Sequence, residues 1–218
     1  MSAIYAVHFL RPDMRSRYGR EKPWTVGETR TSKGELLLCE HGYHYCHGWG
    51  AALMGGYVYG PNACIVGVDD SGPGDEYKGV SWMRTLVECF NVERELRLFA
   101  ADEAERALRA WEQHDGSRVH GALWTAVRAA RAHARGRISA DDLAAARRAA
   151  ARVARSTALI AQVALSAAQN NAWYAAMDTA SDAAFLPDVA LSASTGRLAA
   201  SAARFAAVMH KATGWADV

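Results

Sequence analysis

The sequence predicts an α+β protein, in which a small N-terminal α/β module precedes an all-α, alanine-rich helical bundle. In residues 1 to 92, glycine, proline and asparagine separate short apolar runs, a pattern typical of strands and turns. The later residues are rich in alanine, the strongest helix former. All four cysteines lie in the first part. The predicted domains are therefore residues 1–92 and 93–218.

The sequence pattern of the first module predicts three short strands and one short helix. Residues 4 to 10 alternate Tyr5, Val7 and Phe9 with Ala6, His8 and Leu10, which predicts a strand with two different faces. Residues 34 to 39 and 63 to 68 are the other apolar runs of strand length. Residues 49 to 58 predict a short helix packed on the sheet.

The helical part is predicted to begin near Ser81. Met83, Leu86, Val87 and Phe90 follow the i, i+3, i+4, i+7 spacing of one helix face. Breaks at residues 114–117, residues 135–137, Pro187 and Gly196 divide the rest into four or five helices.

One helix start is marked by its capping residues. Ser139, followed three residues later by Asp142, has the form of an N-cap with an acidic partner, so a helix should begin near Ala140.

Composition excludes some classes of protein. The chain has 218 residues, 50% hydrophobic and 22% charged, which is typical of a globular protein and not of a disordered one. The longest uncharged stretch of apolar character, residues 156 to 176, contains four amide side chains, so no membrane span is expected. No basic segment precedes an apolar run at the N-terminus, which favours a cytoplasmic protein with reduced cysteines. A net charge of +2 does not by itself indicate nucleic-acid binding.

The densest group of potential metal ligands lies in residues 39 to 47, where Cys39, His41 and Cys46 are candidates for zinc. Structural zinc sites usually combine two separated ligand pairs, and the sequence offers no second pair at matching spacing. A strand and turn with buried cysteines and partly exposed histidines is the alternative. We therefore predict no metal cofactor, with zinc left open.

The same segment also predicts a pocket. His8 lies on the face of the first strand opposite Tyr5, Val7 and Phe9, and pairing of that strand with the segment after Cys39 would bring imidazoles and phenols together. Because His and Tyr are common acid, base and hydrogen-bonding groups, His8, Tyr43 and His44 are the candidate catalytic residues if the protein is an enzyme.

The order of these pieces resembles compact members of the ADP-ribosyltransferase superfamily. A first strand carrying His8, the segment Gly42-Tyr43-His44, a small helix containing Ala51-Ala52 and an apolar strand follow one another as in that superfamily. The resemblance implies NAD as a ligand. It also implies a late glutamate, for which Glu76 or Glu88 is a candidate by position alone.

The first module is also similar to a phage-associated domain of unknown function. The similarity covers residues 3 to 90 and is carried by residues 5–10, by residues 26–29 and above all by Leu38-Cys39-Glu40-His41-Gly42-Tyr43-His44. That family brings no established activity.

The second half resembles the alanine-rich helical family of immunity proteins from bacterial toxin systems. Residues 96–108 and 132–139 carry this similarity, which extends from residue 93 to at least residue 184. Where a Cys is expected in the family pattern, this chain has Ala101 or Glu103. The resemblance implies protein binding and not catalysis.

Arginines form two basic stripes in the helical half. The two sets have i, i+3, i+7 and i, i+4, i+7 spacing, which places each set on one helix face. A solvated face, an acidic protein partner and nucleic acid are the three interpretations, and the absence of interleaved aromatics makes nucleic acid the weakest. The candidate partner-binding residues are Arg128, Arg131, Arg135, Arg148, Arg152 and Arg155.

Taken together, the sequence favours a non-enzymatic, phage- or immunity-type protein that binds a protein partner. The alternative is an ADP-ribosyltransferase-like or nucleotide-binding enzyme that uses the His and Tyr cluster. Alanine-rich helix faces often associate with one another, which makes a homodimer plausible.

Overall fold

The protein combines an antiparallel sheet with a set of helices, and is therefore of mixed α and β class. The computed structural model describes residues 4–18, 20–69, 72–115, 118–153, 158–169, 172–184 and 191–216. The strands are β1 Ile4–Leu10, β2 Thr29–Thr31, β3 Tyr43–Cys46, β4 Asn62–Val68, β5 Lys78–Ser81 and β6 Met83–Asn91. The helices are α1 Trp49–Met54, α2 Glu93–Asp115, α3 Gly121–Ala134, α4 Ala140–Val153, α5 Ala158–Ala167, α6 Ala172–Ala184 and α7 Leu191–Thr213.

The chain divides into two compact units. The first unit contains Met1–Val92 together with Ala202–Val218, and the second contains Glu93–Ser201. The end of α7 thus belongs to the first unit, whereas the sequence placed residues 93–218 in one bundle. Phe205 explains the difference, because its buried ring lies 6.4 Å from that of Phe9.

The six strands of the first unit form one antiparallel sheet in the order β2-β6-β4-β1-β3-β5. β1 pairs with β4 along its whole length, from Ile4↔Val68 to Leu10↔Asn62. It pairs with β3 at a single position, Val7↔Cys46. The sheet therefore divides between β1 and β3.

The predicted helix from Ser81 is wrong, because Met83–Asn91 forms strand β6. A β-bulge accounts for the misleading pattern: Ile65 pairs with Glu88 but the next residue, Val66, pairs with Leu86, so one residue of β6 is left over. Such an extra residue breaks the two-residue alternation of a strand. The apolar side chains then fall at a spacing that resembles a helix.

The predicted strand at residues 34 to 39 is also wrong. This segment is irregular apart from one isolated bridge, Leu37↔His41. Cys39 has a φ of 72°, which is incompatible with extended pairing. The strand that pairs with β1 begins four residues later, at Tyr43.

The second unit has a core of small residues with a few larger anchors. The anchors are fully buried aliphatic side chains surrounded by buried alanines. These anchors are Leu108, Leu123, Val127, Leu143 and Val163.

The helix boundaries are partly as predicted. Ser139 Oγ accepts a hydrogen bond from the Asp142 backbone N–H and donates one to its carboxylate, and α4 begins at Ala140 as expected. The predicted break at Gly196 is wrong, because α7 continues through it. Pro187 lies outside the described residues.

In the part of the chain that the structure describes, none of the helices combines the length and the apolar character required to cross a bilayer.

Candidate functional site

An open cavity of about 640 Å³ lies in the first unit. His8, Tyr43 and His44, which the sequence selected as candidates, all line it, together with three basic residues, Arg17, Lys78 and Arg84. Cavities of about 300 to 1,000 Å³ are typical of small-molecule sites. The remaining lining residues are Ser16, Tyr18, Glu21, Cys39, Glu40, Gly42, Tyr45, Cys46, Tyr57 and Tyr59.

His8 stands on β1 and carries an unsatisfied nitrogen. Its Nε2 is buried and has no hydrogen-bond partner among the described residues. Burial, reinforced by the charge of Arg84 and by His44, holds the pKa of His8 well below its usual 6.5. The imidazole is therefore neutral at physiological pH, and one of its nitrogens is left without a hydrogen bond within the described residues.

Arg84 on β6 places a buried positive charge beside the cavity. Its side chain donates to the His44 carbonyl at 2.9 Å and to Ser16 Oγ at 3.1 Å. No carboxylate of the described residues lies within ion-pairing distance of it. Burial lowers the pKa of Arg84 to about 10, against the opposing influence of Glu21. A buried charge without a direct counter-ion is costly, and it favours an anionic ligand.

The rings next to Arg84 hold it in position. Its guanidinium lies 4.4 Å from the centre of the Trp24 ring and 5.1 Å from that of Tyr43, and the two rings meet edge to face. Arg30 covers Trp24 as well, at 4.0 Å. Such contacts are favourable for a desolvated cation. They orient Arg84 without neutralising its charge.

Glu21, whose charge raises the pKa of Arg84 against burial, is engaged by other groups. One of its oxygens accepts from Ser16 Oγ at 2.6 Å and from Trp24 Nε1 at 2.9 Å, and the other pairs with Arg30 at 3.3 Å. These partners outweigh the effect of burial and lower the pKa of Glu21. The carboxylate is therefore ionised and serves to hold the wall of the cavity.

His44 shapes the loop ahead of β3. Its Nε2 accepts a hydrogen bond of 2.7 Å from the Cys39 backbone N–H, and a hydrogen bond with the Gly42 backbone involves the same side chain. Burial and the neighbouring Lys78 and Arg84 charges lower the pKa of His44. Because Nε2 is an acceptor, this ring is neutral, and we assign it a positioning role.

Gly42 is required at the turn into β3. It has a φ of 110°, and a Cβ atom there would lie 2.5 Å from Val80 Cγ2 and 2.7 Å from Leu36 Cδ2. Only glycine adopts this conformation without strain. The sequence Gly42-Tyr43-His44 therefore has a structural explanation in addition to a functional one.

Lys78 lies on the other strand that borders β3. Its Nζ donates to Cys39 Sγ at 2.9 Å and lies 4.4 Å from the centre of the Tyr57 ring. Hydrogen bonds to these two side chains raise the pKa of Lys78 in spite of its burial. A second permanent positive charge thus borders the cavity.

Aromatic rings form one wall of the cavity. Tyr59 lies edge to face with both Tyr18 and Tyr57, with ring centres 6.5 Å and 6.0 Å apart. The guanidinium of Arg17 lies over Tyr18 at 4.9 Å and over Tyr59 at 4.4 Å. Tyr18 is 81% exposed, so one ring face is open to a planar partner. The wall is suited to stacking against a heterocyclic base.

Two carboxylates line the cavity, Glu21 and the exposed Glu40. The glutamates proposed by position in the sequence are not among its lining residues. Glu88 accepts from Trp215 Nε1 at 3.0 Å, and Glu76 interacts with the Tyr77 side chain. Glu40 is therefore the one lining carboxylate without a structural partner among the described residues.

The candidate metal ligands occupy different environments. Cys39 contacts Lys78, and His41 uses its ring nitrogens toward the Glu35 carbonyl at 2.8 Å and Ser32 Oγ at 3.3 Å. Burial raises the pKa of Cys46 to about 12. The described residues contain no group of three or more His, Cys, Asp or Glu side chains arranged to hold a metal.

The arginine stripes of the second unit are partly engaged within it. Arg131 pairs with Asp102 at 2.6 Å and with Glu105 at 2.7 Å, and Arg128 donates to Thr125 Oγ1 at 3.0 Å. Three further candidates are exposed, and the last one lies outside the described residues. The exposed ones are Arg135, Arg148 and Arg152, and the one outside is Arg155.

Comparison with known proteins finds no matching family model, curated protein or solved structure. The resemblances to a phage-associated domain, to immunity proteins and to ADP-ribosyltransferases therefore stay predictions. Sequence reasoning missed Arg84, Lys78 and Arg17, the three basic residues of the cavity. Arg84 was missed because the segment that contains it was predicted to be a helix. An arginine among apolar residues is nevertheless informative, because a charged side chain is rarely buried without a partner.

Proposed function

We propose that the first unit binds an anionic nucleotide, with NAD as the first ligand to test. The observation that carries the proposal is the convergence of His8, Tyr43 and His44 with Arg84 on one open cavity. Arg84 is buried and charged without a direct counter-ion, and a phosphate group would supply one. This is the alternative that the sequence offered beside protein binding.

Three features of the cavity match three parts of such a ligand. The charges of Arg84 and Lys78 suit phosphate, and the Tyr18 and Tyr59 rings suit a base. The free nitrogen of His8 suits a ribose hydroxyl or a phosphate oxygen. The volume of about 640 Å³ accommodates a ligand of this size.

The order of elements along the chain supports the proposal that the ligand is NAD. β1 with His8, β3 with Tyr43, the short helix α1 and the apolar strand β4 follow one another as the resemblance to ADP-ribosyltransferases implies. The cavity also opens where the sheet divides, between β1 and β3. Transfer chemistry would additionally need a carboxylate near the ribose, and Glu40 is the candidate that the cavity supplies.

Thermal unfolding in the presence of a graded series of ligands tests the proposal. Along the series adenosine, AMP, ADP-ribose and NAD the ligand gains first a phosphate, then a second phosphate with a ribose, and then nicotinamide. A ligand at 100 times its Kd stabilises the folded protein by about 2.7 kcal/mol. We expect AMP to raise the Tm more than adenosine does, and NAD or ADP-ribose to raise it by several degrees. No shift with any phosphorylated member at millimolar concentration would refute nucleotide binding.

Nicotinamide release separates binding from catalysis. Incubation of the protein with NAD, with and without candidate macromolecular acceptors, should release nicotinamide if Glu40 supports transfer. In that case the Glu40→Gln variant should retain the NAD-induced Tm shift and lose the release. Binding without release would assign the site to recognition alone.

Binding of a protein partner by the second unit stays a separate prediction. Arg148 and Arg152 are exposed on α4 and have no ion pair or hydrogen bond within the described residues. Their charge would draw them to an acidic surface, and such a complex would weaken as salt is added.

A further inference from the structure

Two cysteines face one another across neighbouring strands, outside the lining of the cavity. Cys64 on β4 and Cys89 on β6 are register partners, and their Sγ atoms lie 2.9 Å apart. Opposed residues of an antiparallel pair have Cα atoms about 4.5 to 5.5 Å apart, which falls within the range of about 4.4 to 6.8 Å found in disulfides. The backbone therefore already holds the two thiols at bridging distance.

The other two cysteines are in different surroundings. Cys39 is exposed, and its sulfur accepts a hydrogen bond from Lys78 Nζ. Cys46 is buried on β3, where its register partners are Val7 and Lys78 and not a cysteine. All four cysteines are free thiols in this structure. Cys64 and Cys89 stand apart from the others because each is the nearest reactive partner of the other.

We propose that Cys64 and Cys89 are a dithiol pair that a hydroperoxide oxidises to an intramolecular disulfide. The peroxide first oxidises the Cys89 thiol to a sulfenic acid and leaves as an alcohol, or as water from hydrogen peroxide. The Cys64 sulfur then attacks the Cys89 sulfur, the S–S bond forms, and the S–O bond breaks. The hydroxyl leaves as water with the proton of Cys64, so two thiols and one hydroperoxide give one disulfide, one alcohol and one water.

The environments of the two sulfurs set the order of these steps. Cys89 is partly exposed and accessible to a small oxidant, whereas Cys64 is completely buried. The hydrogen bond from Cys64 lowers the pKa of Cys89, and burial raises that of Cys64. Because the thiolate is the reactive form, Cys89 is the site of first attack and Cys64 the resolving thiol.

The cross-link would connect β4, which pairs with the His8 strand β1, to β6, which carries Arg84. Cys64 is also the register partner of His8 on β1, and Arg84 lies five residues before Cys89 on β6. Oxidation would thus link the neighbour of the His8 strand covalently to the strand that carries Arg84. The thiol chemistry itself does not depend on nucleotide binding, so it is tested independently.

Peptide mapping of the full chain tests the proposal. The folded protein is exposed to hydrogen peroxide, the remaining thiols are alkylated, and the chain is cut with trypsin without reduction. Cleavage after Lys33, Lys78, Arg84 and Arg94 leaves Cys89 on residues 85–94, and leaves Cys64 on residues 34–78 with Cys39 and Cys46. Fragmentation of a linked pair, repeated on the Cys39→Ser variant, identifies which cysteine is bound to Cys89.

We expect the native protein to lose two of its four thiols and to yield one Cys64–Cys89 link, reversed by dithiothreitol. The Cys39→Ser variant should give the same link, and the Cys89→Ser variant should give none. Protein unfolded in urea before oxidation should give mixed pairings, which shows that the fold selects the pair. A Cys89 that stays free, forms a sulfinic acid or pairs with Cys39 would overturn the proposal, whether or not any variant folds.

Discussion

Replacement of Arg84 by methionine should separate ligand binding from folding. A fall in the pKa of Arg84 from 12.5 to about 10 means that the folded unit bears a cost of about 3 kcal/mol to keep this side chain charged. Methionine removes that cost and keeps most of the apolar contacts to Trp24 and Tyr43. It also removes the hydrogen bonds to Ser16 and His44, each worth about 1.5 to 3 kcal/mol for a charged donor.

The two lost hydrogen bonds together cost about 3 to 6 kcal/mol and removal of the charge regains about 3 kcal/mol, so the ligand-free stability of Arg84→Met should fall by no more than about 3 kcal/mol. Ser16 Oγ still donates to Glu21 in the variant. Binding of an anionic ligand, by contrast, loses its buried charge partner. A loss of about 3 kcal/mol corresponds to an affinity about 100-fold lower.

Isothermal titration calorimetry with ADP-ribose measures the Kd. Urea unfolding of the same preparation without ligand measures the free energy of unfolding. The matched control is Arg97→Met, another buried arginine, which pairs with Glu93 at 2.9 Å and lies in the second unit. The control should leave the Kd unchanged. If Arg84→Met binds ADP-ribose as well as the original protein does, the assignment of Arg84 as the phosphate partner is refuted.

Three further predictions address other parts of the structure. Because the pKa of His8 is lowered in the folded state, His8 binds a proton below about pH 6.5 in the unfolded chain but stays neutral in the folded unit. Stability is thus lost as the pH falls below that value, and His8→Gln should reduce the loss measured by urea unfolding between about pH 7.5 and 5.5; an unaltered pH dependence would contradict the burial of a neutral imidazole. Phe205→Ala should destabilise the first unit by about 3 to 5 kcal/mol, since Phe205 is fully buried beside Phe9, and a change below about 1 kcal/mol in the same assay would argue against the assignment of the end of α7 to that unit. Arg148→Glu with Arg152→Glu should leave the Tm unchanged because both side chains are exposed; if a purified protein partner is still captured as before, these arginines are not part of the interface.

The sequence predicted those elements whose pattern is local. β1 was predicted over the residues that form it, and α4 begins at the residue that its capping serine indicates. In both places the signal comes from neighbouring residues alone. Alternation or capping within a few residues is enough to define such elements.

The errors arise where distant pairing decides the local structure. The bulge opposite Ile65 and Val66 gives β6 a helix-like spacing, and only the partner strand reveals it. The left-handed conformation at Cys39 likewise moves the start of β3 to Tyr43. Neither feature leaves a clear mark on the residues themselves.

The candidate site was predicted in part for the same reason. Alternation along β1 gave the face of His8, and the segment after Cys39 gave Tyr43 and His44, so these three residues were accessible to sequence reasoning. Arg84 was not, because its contribution depends on β6 being a strand two positions away from β1 in the sheet. The buried positive charge beside the cavity is therefore visible only in the folded protein.

A crystal structure of the protein grown with saturating ADP-ribose tests the central claim most directly. We predict density for the ligand in the cavity, with a phosphate oxygen within hydrogen-bonding distance of the Arg84 guanidinium and a ligand oxygen within the same distance of His8 Nε2. The adenine ring should stack on Tyr18 or Tyr59. An empty cavity at a saturating concentration, or a ligand bound elsewhere on the molecule, would contradict the account.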